Sequence, residues 1–315
     1  MFLIILGIIL GLFMLIKGAD WLVDGSVSIA LNMGVSKLIV GLSVVAFGTS
    51  VPELVASLVS VLNGHSSVSI SNVVGSNIAN IALCLALASL FSVVNIKSQT
   101  IKVEMPFMII STIVFTSLLI RDKLFTLKWN DGIVFISFLI IFIYYLVTNA
   151  KEMVMEEFES ELKGEHKTSV SILLIIFGIL GVSLGGELTI KNVVELARIF
   201  NLSETLVGLT IVAVGTSLPE LVVSITSTVK GEGEILVGNI VGSNVFNILF
   251  VLGLSSLFGN LTVDVSNYVI DLIAINFVAL LLLIISLLKK KLTRIDGILF
   301  LITYVVYLSF VFVRR

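Results

Sequence analysis

Apolar residues fall along this chain in long runs, many of roughly 18 residues or more, separated by short polar turns. A helix needs about 20 such residues to cross the hydrocarbon of a bilayer, so the pattern predicts membrane-spanning helices. Ten can be drawn, at 2–17, 36–62, 68–91, 103–120, 130–149, 169–186, 203–229, 234–258, 267–288 and 295–313. Segments 18–35 and 187–202 are more polar, and either extend the first and sixth helices or run along the interface. The expected fold is an all-α membrane protein with ten transmembrane helices.

Composition agrees. Of 315 residues, 57% are hydrophobic and 13% charged, with mean hydropathy +1.17, about half the ~25% charge of soluble domains. A net charge of −2 with no basic block argues against nucleic acid as a partner. The lone Cys84, inside IALCLALASLF, excludes a disulfide framework and reads as a small core residue. His65 and His166 fall in predicted loops, which leaves little for zinc or histidine catalysis. The first span has no basic leader or small-residue cleavage signature and is expected to be a retained helix.

The chain repeats itself. Residues 38–91 align without a gap onto 205–258, with 27 of 54 positions identical. Upstream, Gly18 pairs with Gly185 and Asp20 with Glu187; downstream the offset slips, so that Asp131 matches Asp296. The expected organisation is a first repeat at 1–150, a short acidic loop at 151–168 and a second repeat at 169–315. The loop lacks the ligand spacing and glycine of an EF-hand. Each half holds five spans; because five is odd, the second enters from the opposite side, giving an inverted-topology repeat. Lysine and arginine placement, above all the cluster at 289–294, favours loops after odd-numbered spans on the inside and both termini outside.

Each half carries two polar motifs in mid-span. The first is Gly48-Thr49-Ser50-Val51-Pro52-Glu53, repeated as Gly215-Thr216-Ser217-Leu218-Pro219-Glu220. The second, N-x-V-G-S-N-x-x-N-I, runs from Asn72 to Ile81 and from Asn239 to Ile248. Proline removes a backbone donor and loosens the preceding turn. Pro52 should free the Gly48 carbonyl and disturb the turn holding Ala46 and Thr49; Pro219 should act likewise around Ala213, Gly215 and Thr216. At helical spacing Thr49, Ser50 and Glu53 share a face, and Ser76 stacks with Asn80. The second half repeats this with Thr216, Ser217, Glu220, Ser243 and Asn247. Two carboxylates, amides, hydroxyls and loosened carbonyls, without lysine, arginine or histidine, suit calcium or sodium better than a transition metal.

Structural alternatives stand beside this. Ser50 and Glu53 also fit a capping box with proline in the first turn, and Asn/Ser pairs serve as helix–helix glue in membranes. A buried ionised acid costs ~2.5–3.5 kcal/mol on insertion scales, and two facing acids repel unless a cation or proton lies between them. Asp20 and Glu187 read as helix ends near the interface, Glu104 and Asp271 as interfacial starts of the fourth and ninth spans, and Trp21 and Trp129 as headgroup anchors.

GTSVPE and GTSLPE, with VVGSNIANI and IVGSNVFNI, resemble the two alpha repeats of the calcium/cation antiporter superfamily, above all its prokaryotic sodium/calcium exchanger branch. The resemblance covers essentially the whole chain. It implies alternating calcium and sodium binding by Glu53 and Glu220, with Thr49, Thr216, Ser50, Ser217, Ser76, Ser243 and the carbonyls of Ala46 and Ala213, and with Asn80 and Asn247 completing the cluster. It also implies that the first and sixth helices slide across the others. Some members carry aspartate at the position of Asn247, which leaves proton or potassium coupling as the alternative. The cation/proton branch has an asparagine after the first glycine and a histidine after the glutamate; Gly48-Thr49 and Glu53-Leu54 lack both, which favours sodium. The expected function is therefore a sodium/calcium antiporter of the cell membrane. It would have Ca2+ and Na+ as substrates, the lipid bilayer as surroundings, and no cofactor, enzymatic activity or obligate protein partner. An intramembrane hydrolase is disfavoured by the absence of a nucleophile–base pair, and a channel is the remaining competitor.

Overall fold

The computed structural model describes residues 1–121, 124–150, 164–200 and 215–313. Its helices are α1 (Phe2–Met33), α2 (Lys37–Thr49), α3 (Val51–Leu62), α4 (Ser66–Phe91), α5 (Thr100–Arg121) and α6 (Trp129–Asn149). After the central loop come α7 (Thr168–Ile199), α8 (Leu218–Val229), α9 (Gly233–Phe258), α10 (Val265–Lys289) and α11 (Arg294–Val313). Among the described residues eight helices are long and apolar enough to span a bilayer, nine when α2 and α3 count as one bent span. The first part of the predicted span 203–229 lies outside the described residues, and α8 is its remainder.

The polar segments after the first and sixth spans prove to be helix: α1 and α7 each run for 32 residues. Asp20 and Glu187 therefore sit in mid-helix rather than at helix ends. Glu104 and Asp271 lie near the starts of α5 and α10, where the sequence puts them. Both are packed against protein, 0% and 3% exposed, and accept hydrogen bonds from the hydroxyls of Tyr145 and Tyr307 (2.8 Å for the second). A carboxylate at that depth is tolerated because a tyrosine of the neighbouring helix satisfies it. Trp21, within α1, and Trp129, the first residue of α6, are both exposed.

Two helices form the centre. The most apolar window of α9 is 94% buried and that of α4 78%, whereas those of α1 and α11 are 28% and 22% buried. The outer helices present Leu, Ile, Phe and Val outward, as lipid-facing surfaces do. The Asn and Ser residues of α4 and α9 can be satisfied only by other protein groups, which draws these two helices inside.

Glycine sets the closest approaches. A Cβ at Gly18 would lie 2.6 Å from the Val182 nitrogen, and one at Gly178 2.6 Å from the Leu22 nitrogen. Gly25 meets Ser171 and Gly185 meets Leu15, so α1 and α7 run antiparallel with their backbones in contact. By contrast, α2 and α9 run parallel, Gly41 opposing Gly238 and Ala46 opposing Gly242.

Two short antiparallel strand pairs clamp the loops. β1 (Val94–Asn95) pairs with β4 (Lys291–Leu292), Val94 opposite Leu292. β2 (Thr126–Leu127) pairs with β3 (Leu261–Thr262), Thr126 opposite Thr262.

Candidate functional site

The proline motif breaks its span where the sequence expects. Pro52 has no N–H to offer the Gly48 carbonyl, Ser50 adopts φ −83°, ψ 0°, and the axis bends by 41° between α2 and α3. Ser217, before Pro219, takes nearly the same conformation, φ −90°, ψ 10°. Neither serine caps the helix that follows it, so the capping-box alternative is not formed. The Ala46 carbonyl is not free in this conformation. It accepts from the Ser50 amide (3.1 Å), the Thr49 hydroxyl (3.3 Å) and the Ser243 hydroxyl (3.5 Å).

The break gathers side chains from both halves. The Thr49 hydroxyl donates to Oδ1 of Asn239 at 3.0 Å and lies 3.2 Å from the Ser243 hydroxyl. Ser76 donates to Oε1 of Glu53 at 3.4 Å. Asn72 donates to the Glu53 carbonyl and the Ser57 hydroxyl, both at 3.2 Å. These contacts tie α2 to α9 and α3 to α4.

Amides join the two central helices. Nδ2 of Asn247 donates to Oδ1 of Asn77 (3.0 Å), Nδ2 of Asn77 to the Asn244 carbonyl (3.1 Å), and Nδ2 of Asn80 to Oδ1 of Asn244 (3.4 Å). Asn80 and Asn247 each open a wide π-helical turn, Asn80–Leu85 and Asn247–Leu252, where the ladder loosens. Asn77 and Asn244, with Asn72 and Asn239, are the members that sequence reasoning did not single out. Their signal was present, since all four lie in the duplicated motif at helical spacing.

Glu53 and Glu220 are both 0% exposed. Each acts electrostatically on Cys84, and Glu53 acts on Glu220. Cys84 itself is fully buried, as expected for a small core residue. Among the described residues neither carboxylate is met by lysine, arginine or histidine. Several oxygens here have no hydrogen-bond partner: Oε2 of Glu53, both carboxylate oxygens of Glu220, the Ser50 and Ser217 hydroxyls, and Oδ1 of Asn80 and of Asn247. Buried oxygens are ordinarily satisfied; this many unpartnered oxygens in the two duplicated motifs make a buried, oxygen-rich cluster, the kind of donor set that hard cations take. Thr216 lies half-buried at its edge, and Ala213 lies outside the described residues.

Bundle and site together define a polytopic membrane protein with a buried, acidic, oxygen-rich cluster of side chains drawn from two related halves. Comparison with known proteins makes that class specific. The family described as "Sodium/calcium exchanger protein" matches residues 3–148 and 170–313, and the chain belongs to it, within the prokaryotic branch of the calcium/cation antiporter superfamily. Over 95% of its length it is 33% identical to the putative antiporter CaxA of Alkalimonas amylolytica, covering 96% of that protein. It is 30% identical to the sodium/calcium exchanger MaX1 of Methanosarcina acetivorans, over 97% of each. The solved structure of the sodium/calcium exchanger from Methanococcus jannaschii superimposes with a TM-score of 0.82 at 31% identity, over 97% of this chain and 98% of that one.

Proposed function

We propose that this protein exchanges sodium for calcium across the cell membrane by alternating access, with Glu53 and Glu220 as ligands shared by both ions. The observation that carries the proposal is the chamber of unpartnered oxygens around two fully buried carboxylates. Two acids demand about two positive charges, which one Ca2+ or more than one Na+ supplies. Since one carboxylate pair serves both ions, they compete, and competition at a common site couples the fluxes. Crossing with bare carboxylates is costly at membrane depth, so occlusion awaits a bound cation. Thr49, Ser50, Ser76, Asn80 and the Ala46 carbonyl are the proposed neutral ligands of the first half. Thr216, Ser217, Ser243, Asn247 and the Ala213 carbonyl are those of the second.

The proposal includes ten spans in two inverted repeats, 1–150 and 169–315, joined by the acidic loop. Support comes from direction and register. The counterpart helices α1 and α7 are antiparallel, as inversion requires. β1 with β4 and β2 with β3 join loops separated by an even number of crossings in the ten-span scheme, and the first pair maps onto the second under the repeat. Both termini are assigned to the outside. The chain is a transporter rather than an enzyme, its partners being the two ions and the surrounding lipid.

Calcium-45 uptake into proteoliposomes, driven separately by sodium, potassium or proton gradients, tests the assignment. Uptake driven by sodium alone is expected; uptake driven only by protons or potassium would reassign the coupling ion, for which Asn247 in place of an aspartate is the motive.

A further inference from the structure

The α8 helix carries polar residues that the chamber does not absorb. Glu220, Ser224 and Ser227 lie at i, i+4 and i+7, on one helix face. The Ser224 and Ser227 hydroxyls are 0% exposed and have no hydrogen-bond partner, although serines in helices commonly bond back to the carbonyl four residues earlier. Thr228, one residue on, does so, donating to the Ser224 carbonyl at 2.8 Å. Two orphaned, fully buried hydroxyls in line with a chamber carboxylate are what a desolvating cation needs along its path.

The stripe leads to a cavity of about 320 Å³ lined by Thr228, Gly233, Glu234, Asn95 and Lys97. Across its lining Lys97 forms an ion pair with Glu234 at 2.8 Å. The same turn bears two more ion pairs: Lys230 with Asp24 of α1 at 2.8 Å, and Lys37 with Glu232 at 2.8 Å. Lys230 thereby tethers α1, one of the two long outer helices, to the end of α8.

The other repeat lacks the residues for this arrangement. Carried across the offset of 167, Lys97 and Glu234 become Asp264 and Ser67, while Lys230 and Asp24 become Asn63 and Lys191. Neither combination can form a matching ion pair. Lys37 and Glu232 become Glu204 and His65, a pair only if the histidine is protonated. The Lys97–Glu234 and Lys230–Asp24 pairs are therefore specific to one end.

We infer that cations pass between the chamber and the 230–234 face along Ser224 and Ser227, and that the Lys97–Glu234 and Lys230–Asp24 ion pairs form the gate closing that route. This rests on the exchange proposal for the identity of the ions, but the route and gate are read from α8 itself. Opening requires the pairs to part; ions compete with them, and salt screens them. The equivalent positions at the opposite end cannot form these two pairs, so this gate belongs to the 230–234 face.

Thiol accessibility tests this. Ser227→Cys is placed in a Cys84→Ala background, and modification by an impermeant cationic methanethiosulfonate is timed in right-side-out and inverted vesicles, with calcium-45 flux measured on the same preparations. Modification is expected from the 230–234 face only, slowed by Ca2+. Glu234→Gln or Lys97→Gln should accelerate it roughly two- to fivefold, as loss of one partly exposed ion pair permits, and the double exchange Lys97→Glu with Glu234→Lys should restore the slow rate. An introduced thiol that is inert from both faces in every background, reactive equally from both, or indifferent to the ion pairs would overturn the inference. Absent flux with the labelling pattern intact would reject sodium/calcium exchange and keep the gated route.

Discussion

The hydroxyl of Thr49 donates to Oδ1 of Asn239 at 3.0 Å, so the proline-broken span of the first half is fastened to the first asparagine of the second half's motif. Both residues are 0% exposed. Thr49→Val keeps the shape and removes the donor, leaving a buried amide oxygen unsatisfied at a cost of about 1–3 kcal/mol. A lower Tm and slower calcium flux are expected, with Thr49→Ser close to wild type. Thermal unfolding in detergent with a parallel flux assay checks both.

Glu53→Gln and Glu220→Gln should each abolish sodium-driven calcium uptake. Their effect on stability should have the opposite sign in cation-free buffer. There the two buried acids repel one another, and removing one relieves that repulsion. Wild-type protein should gain about 2.7 kcal/mol at a calcium concentration one hundred times Kd, and the variants should gain little. Near-normal flux in either variant would remove that carboxylate from the site.

Glycines at equivalent positions of the second motif should respond unequally to alanine. A Cβ at Gly242 would lie 2.6 Å from the Leu42 carbonyl oxygen, forcing α2 and α9 apart, whereas one at Gly75 meets nothing within 4 Å. Gly242→Ala should therefore cost about 1–3 kcal/mol of stability, as overpacking typically does, and lower the yield of folded protein, and Gly75→Ala should not. Size-exclusion chromatography of the two variants beside wild type decides this.

Asn247→Asp should destabilise the protein without cations and respond strongly to calcium. Asn247 donates to Oδ1 of Asn77, whose own amide is committed to the Asn244 carbonyl. A carboxylate cannot donate, so the bond is lost and a third negative charge enters the chamber. Tm should fall in chelator and rise more with added Ca2+ than wild type does, as differential scanning fluorimetry would record.

Much of this was legible in the sequence because the relevant signals are local or periodic. The length of an apolar run needs no partner to be read, and neither does proline's missing donor, which correctly located the break at Ser50. Duplication supplied the pairing of Glu53 with Glu220 without any contact being known. The capping box was equally consistent with the letters SVPE, and only the backbone at Ser50 removed it. For Glu104 and Asp271 the sequence showed an acid near the start of an apolar run, but not what satisfies it. Their tyrosine partners lie 41 and 36 residues away on other helices, a distance that no local pattern spans.

By itself the sequence determined the membrane class, the twofold repetition and the residue types of the candidate site, since hydrophobic length, residue type and spacing follow from the covalent chain. Only the tertiary structure decided which oxygens are satisfied and which are orphaned. It alone decided that the asparagines of α4 and α9 bind each other, and that Lys97 meets Glu234 and Lys230 meets Asp24. Those outcomes depend on which helix meets which face, and such meetings are fixed by packing across the whole bundle rather than by any stretch of the chain.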